Sequence, residues 1–330
     1  MLRTRLRLAT AGLLAALFLH SSAFAQVTEV KVGVSTNANT VLAIWMAEAG
    51  GFYAKQNLKV SVSNTGGGSR GADALAAGRL DVMHVGLSSV VQLNQKGADL
   101  RTIASLANLI RFGFFTKPTI KTAADLKGGT VAVSSLGSES DATATLALQR
   151  LGLTRQDVTL KEYGDSLKRL NALKSGEIAA TTLNEPFASA AREAGLNLIV
   201  DLAAENIPWL FSTLVVKRDA IDSNRDALTR FLKATIEGNY LAVADPKRAK
   251  EVLSQQTGIT DPKIIEISYN DFTAMTPLNV EPIRQGAENV MAQFPREVSR
   301  NPGEYIDRKL LVGLQQEGFF DALDRKYGKR

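Results

Sequence analysis

Apolar and polar positions alternate over residues 30–34, as in a strand with one buried face, and apolar residues then recur at helical spacing over 41–53 before alternation resumes over 58–62. This predicts a βαβ unit. The same reading predicts helices over 69–78 and 88–96 and strands over 80–85 and 101–106. After Lys117-Pro118 a second cycle begins, with strands predicted over 130–134, 158–163, 178–183 and 198–200 and helices over 141–151, 166–175 and 186–194. Regular strand–helix alternation predicts an α/β chain whose sheets are mainly parallel and flanked by helices. Two such cycles in succession predict two lobes. The expected crossings lie near Phe115 to Pro118 and along the alternating run 211–217, which gives a first lobe of 26–116 plus 214–330 and a second of 117–213. From Asn224 onward the pattern is helical, over 225–244, 246–256, 262–272 and 282–294, and this tail is expected to pack on the first lobe. Residues 74–82 and 172–180 echo each other: in each a helix ends at a glycine, Gly78 or Gly176, and a strand starts two residues later.

The first 25 residues stand apart from this pattern. Arg3, Arg5 and Arg7 precede an apolar run from Leu8 to Leu19, and Ala23-Phe24-Ala25 follows. This is the three-part layout of a secretory leader with cleavage expected after Ala25. The run is about 12 residues, short of the roughly 20 that span a bilayer as a helix, so no membrane insertion is expected. Three arginines of the formal +6 charge belong to the leader, and the remaining charges are interspersed, without the basic stripe or aromatic stacking pattern of a nucleic-acid binder. The chain has no cysteine, which excludes disulfides, a thiol nucleophile and a lipid anchor at the cleavage point. A freely diffusing periplasmic protein is expected.

Four loops predicted to follow strands are rich in Gly, Ser, Thr and Asn: residues 35–40, 65–70, 86–89 and 134–140. In open parallel sheets ligands bind at the carboxyl ends of strands, and helix N-termini there present unpaired N–H groups that favour an anion or a strongly polar group. Such residues also cap helices. Gly66-Gly67-Gly68 is the strongest signal, since three glycines sacrifice chain entropy unless the backbone must approach something closely. Asn184-Glu185 follows a predicted strand in the second lobe, Trp209 either walls the cleft or packs in the core, and Arg70 and Arg111 are candidate partners for a carboxylate or sulfonate. His84, the one histidine beyond the leader, lies mid-strand and is expected to be buried. Neither a catalytic triad nor a metal-ligand spacing is indicated, and no cofactor is expected.

With Val32-Gly33-Val34, Gly50-Gly51-Phe52-Tyr53 followed by Asn57-Leu58, Gly78-Arg79-Leu80-Asp81, Asp125-Leu126-Lys127-Gly128 and Glu185-Pro186, the chain resembles the periplasmic substrate-binding proteins of ABC transporters, in the nitrate/sulfonate/taurine group that shares its fold with thiamine-pyrimidine synthesis proteins. The resemblance covers residues 28–320. It implies a type II periplasmic binding protein fold, two lobes closing on a small organic solute, a permease as partner, and no enzymatic activity. A monomer is expected. By position, the ligand contacts it implies are Thr36, Asn37, Asn39, Gly67, Gly68, Ser69, Ser88, Ser135, Gly137, Ser138, Asn184 and Glu185, with Trp209 added as a cleft wall. Ala179 stands where the family often has Asp, and the histidines of the synthesis proteins are missing. Two alternatives stay open: a dehydratase or lyase using Glu139, Asp141 or Glu185 as general acid, and a solute sensor for a signalling receptor. The loops suit a sulfonate, a carboxylate or a related anion, and the acidic residues suit an amine or zwitterion.

Overall fold

A computed structural model of the 330-residue chain describes residues 27–328, so the leader expected over 1–25 lies outside the described residues. The chain opens with β1 (Thr28–Val34), α1 (Leu42–Ala49), α2 (Phe52–Lys55), β2 (Leu58–Asn64), α3 (Gly68–Ala76), β3 (Val82–Val85), α4 (Leu87–Gln95) and β4 (Leu100–Leu109). It continues through β5 (Gly113–Thr116), α5 (Ala123–Leu126), β6 (Thr130–Val133), α6 (Glu139–Arg150), β7 (Thr159–Glu162), α7 (Ser166–Lys174), β8 (Ala180–Leu183), α8 (Phe187–Glu193) and β9 (Asn197–Asp201). After β10 (Pro208–Lys217) come the helices α9 (Ala220–Ser223), α10 (Arg225–Ala244), α11 (Pro246–Thr257), α12 (Pro262–Met275), α13 (Arg284–Met291), α14 (Lys309–Gln316) and α15 (Phe319–Tyr327).

Two five-stranded sheets result, ordered β2-β1-β3-β10-β4 and β7-β6-β8-β5-β9. In each the strands of the βαβ cycles pair in parallel, as β1 with β2 and β3, and β6 with β7 and β8. One strand per sheet departs from the parallel expectation: β10 runs antiparallel between β3 and β4, and β5 antiparallel between β8 and β9. These are the strands that enter each sheet directly after the chain crosses between lobes. Alternation over 211–217 shows a strand and not which way it runs, so the direction of β10 was not foreseen, and β5, at the expected crossing, was not predicted as a strand. The topology also moves the crossings to residues 110–112 and 202–207. Gly113–Thr116 belongs to the second sheet and 208–213 to the first, against the expected boundaries at 116/117 and 213/214.

β10 is buried on both faces from Trp209 to Val216 because helices cover the sheet on either side, and a large apolar side chain so covered contributes about 1.5–3 kcal/mol. The helical tail packs back on the first lobe as expected. α10 lies so close on α1 that a Cβ on Gly238 would sit 2.4 Å from the Ala43 carbonyl oxygen. Tyr53 stacks on Phe231 at 5.5 Å between ring centres and hydrogen-bonds Thr235 at 3.0 Å. No helix among the described residues is long and apolar enough to cross a membrane.

Candidate functional site

The carboxyl ends of β1, β3, β6 and β8 all face the space between the two lobes, and each runs into a loop that starts a helix. Small polar residues there allow the two loop sets to meet. Ser69 N–H donates to Ser135 Oγ (3.1 Å), Ser69 Oγ to the Leu136 carbonyl (2.8 Å), Arg70 Nη2 to the Ser134 carbonyl (2.7 Å), and Asn39 N–H to the Glu185 carbonyl (3.3 Å). Gly67 makes this approach possible: a Cβ there would meet the Ser134 carbonyl oxygen and Ser135 Oγ at 3.0 Å. Its backbone is extended, so the requirement is room rather than a left-handed turn.

Behind the seam lies a cavity of about 40 Å³, room for about three water molecules. The first lobe lines it with Ser35, Thr36, Thr40, Gly68, His84, Val85, Gly86, Phe211 and Ser212, the second with Ser134, Ser138, Glu139, Ser140, Ser166, Arg169 and Asn184, and the first crossing with Phe112. Phe112 and Phe211 meet edge to face at 5.1 Å and form an apolar wall.

Arg169 is the chamber's cation. It is 2 % exposed and donates to the Gly164 carbonyl (3.2 Å), Thr181 Oγ1 (3.1 Å), the Thr182 carbonyl (2.6 Å) and Ser166 Oγ (3.0 Å). No carboxylate among the described residues hydrogen-bonds to it, and Asp165, the cap of α7, acts on it through space. Burial lowers it to about 10, so it stays charged at neutral pH. These four acceptors use four of the five guanidinium N–H groups, and one is left over. Glu139, the first residue of α6, sends its carboxylate into the first lobe, where Oε1 accepts the Ser88 N–H (2.7 Å) and Oε2 the Trp209 Nε1–H (2.7 Å). Burial pushes its carboxyl up to about 7 despite those donors. His84 Nε2 contacts the Thr40 carbonyl (3.1 Å) and Ser212 Oγ, its Nδ1 has no partner, and burial lowers it to about 4, so it is neutral.

Of the residues expected to touch a ligand, Thr36, Gly68, Ser138 and Asn184 line the chamber together. Gly67, Ser69 and Ser135 form the seam that roofs it, while Ser88 and Gly137 face an outer cleft with Asp141 and Arg155. The structure separates the rest from the chamber. Asn37 bonds the Gln256 carbonyl, and Asn39 is turned to the Ser268 carbonyl and Asp271. Glu185 lies in a groove on the hinge side, bonded to Arg192 and the Ser189 N–H, with its carboxyl raised by burial. Trp209 is core, 1 % exposed, and reaches the chamber only through Glu139. Arg70 is held by the Gly66 and Ser134 carbonyls and Arg111 by Asp271.

Sequence reasoning missed Arg169 as a chamber residue. The signal was present: on α7 it shares the stripe of Ser166, Leu170 and Leu173, three, one and four residues away, a face that is otherwise apolar and buried. A cation with no carboxylate hydrogen-bonded to it, the starts of α3, α6 and α7 at Gly68, Glu139 and Ser166, and a ring of hydroxyls form a setting that can accommodate negative charge. Among the described residues no group of three or more His, Cys, Asp and Glu side chains could hold a metal ion.

A profile of the NMT1/THI5-like family matches residues 38–249. YtlA of Bacillus subtilis (strain 168) is 22 % identical over 300 residues, covering 87 % of this chain and 88 % of YtlA. Among solved structures, the alkanesulfonate-binding protein SsuA from Xanthomonas axonopodis pv. citri, bound to MOPS, aligns with a TM-score of 0.70 at 18 % identity, over 86 % of this chain and 99 % of SsuA. The ligand binding component of an ABC-type import system from Staphylococcus aureus aligns with a TM-score of 0.69 at 13 % identity, over 86 % of this chain and 98 % of that one. The architecture is the two-lobed periplasmic binding protein fold of these neighbours.

Proposed function

The chain belongs to the NMT1/THI5-like family, and from that premise we propose that it is the exported solute-binding component of an ABC import system, closing its two lobes on a small organic anion and delivering it to a permease. The observation that carries the reading is Arg169, a buried cation with no carboxylate hydrogen-bonded to it, in a chamber that both lobes line. An anion there gains the spare guanidinium N–H, the Ser138, Ser166 and Asn184 side chains of the second lobe, and Thr36 and Gly68 of the first. It therefore binds the closed state better than the open one and shifts the population towards it. The named neighbours are binding components, one for an alkanesulfonate and one for an import system, which supports transport over catalysis. The leader over 1–25 supports a periplasmic location, and the protein acts as a monomer.

The test is a thermal-shift screen of residues 26–330 against small sulfonates, carboxylates, amino acids and pyrimidines, run in parallel on Arg169→Met. A ligand of the native state at 100-fold excess over its Kd adds about 2.7 kcal/mol of stability. A sulfonate or carboxylate is expected to raise Tm in the wild type and not in Arg169→Met. A response confined to cations, or one equal in both proteins, contradicts the reading.

A further inference from the structure

We propose that Glu139 is the latch of the closed lobes and that it takes up a proton as they close. The inference rests on the two-lobe closure proposed above and adds how that closure is regulated. Glu139 belongs to the second lobe, yet both hydrogen bonds its carboxylate accepts come from the first: the Ser88 N–H at the start of α4 and the Trp209 indole on β10, each at 2.7 Å. The slot is shaped for it. A Cβ on Gly86 would stand 2.1–2.3 Å from Glu139 Cγ, Cδ and Oε1, so only glycine at that place admits the carboxyl. The backbone of Gly86 is extended with negative φ, so the glycine is required for space and not for conformation.

Opening the lobes withdraws this side chain from the slot into water. In water its affinity for a proton is that of an ordinary carboxyl, near 4.5, whereas in the slot burial holds it near 7. Between those values the closed state carries a proton that the open state does not. The ionisable groups around the slot do not reverse this. His84 on β3 is neutral, Arg70 on α3 is bound to two carbonyls, and Asp141 on the same helix is paired with Arg155. Ser88 on α4 and Trp209 on β10 bring no charge. Arg169 on α7 is turned to four protein acceptors, and the contributions that lower Glu139 come from Trp209 and Ser88 alone. The consequence for transport is that the chamber's one carboxyl is neutralised as the lobes close on an anion, and the closed complex is favoured as pH falls.

The chain has no cysteine, so spin labels on Ser61→Cys and Leu167→Cys, exposed on opposite sides of the seam, report the distance between lobes by double electron–electron resonance. In the ligand-free protein the closed-to-open ratio is expected to rise about tenfold from pH 8 to pH 6 for one proton linked between those two affinities. Glu139→Gln should abolish that dependence. Trp209→Phe, which removes a donor that favours the carboxylate, should move its midpoint to higher pH, and a purely structural role would not. Gly86→Ala should lower the closed fraction at every pH. A pH response that survives in Glu139→Gln, or a midpoint unmoved in Trp209→Phe, overturns the latch. Distances that ignore pH but shorten with methanesulfonate also overturn it and leave the clamp standing; distances that ignore both overturn the two readings together.

Discussion

A guanidinium whose hydrogen-bond partners are only carbonyls and hydroxyls retains unspent electrostatic attraction, and the proposed anion binding rests on Arg169. Charge-assisted hydrogen bonds contribute about 1.5–3 kcal/mol each, so Arg169→Met should weaken anion binding by roughly 10- to 150-fold in calorimetric titration. Arg169→Lys should recover part of it, since the charge stays and the planar fork is lost. Two other buried groups act on stability with opposite signs. His84 falls from 6.5 to about 4 on folding, so its contribution is present above pH 6.5 and is lost as pH falls towards 4. Glu139 rises from 4.5 to about 7, so its contribution is present below pH 4.5 and is lost as pH rises through 7. Between pH 4.5 and 6.5 the two slopes offset. Glu139→Gln should expose the histidine slope as a Tm that drops by a few degrees more than the wild type's over that window (about 2–4 °C per kcal/mol); equal slopes would show that one of the assignments is wrong. Thr36, Gly68, Ser138 and Asn184 were legible because loop composition marks helix starts at strand ends. Arg169 was not, because a lone arginine within a helix looks like a solvated face until the neighbouring helix and strand are known to cover it.

The longer helices and most strands up to α13 were legible to within a few residues, as with α10, whose observed span Arg225–Ala244 is the one its periodicity predicts, whereas the short α5 and α9 and the last helices α14 and α15 were not predicted. Its apolar repeat is a local property. The antiparallel β5 and β10 were not, since strand direction follows from where the chain re-enters the sheet, a long-range fact. Two glycines in helices separate packing from propensity. Gly238 sits where α10 touches the backbone of α1, with a hypothetical Cβ 2.5 Å from Ala47 N, so Gly238→Ala should destabilise by at least ~1–3 kcal/mol through overpacking. Gly313 in α14 has nothing within 4 Å of that position, so Gly313→Ala should stabilise by about 0.5–1 kcal/mol. Chemical denaturation of both variants checks the pair. At the seam, Gly67→Ala should hold the lobes apart by a few tenths of an ångström, weakening ligand affinity several-fold with helix content unchanged by circular dichroism.

For the molecule as a whole, two crossings at 110–112 and 202–207 join the lobes, and the polar loops of the seam form part of the surface along which they meet. That division of labour was visible in the sequence as two βαβ cycles with small polar residues at their strand ends, whereas the position of the hinge depended on which sheet took β5 and β10. The proposed clamp is expected to deliver its ligand unaltered. Native mass spectrometry of the protein released from the periplasm measures the occupant directly: a single small anion of unchanged mass is predicted on the wild type and none on Arg169→Met. An occupant that is cationic, or one retained in full by Arg169→Met, would contradict the account.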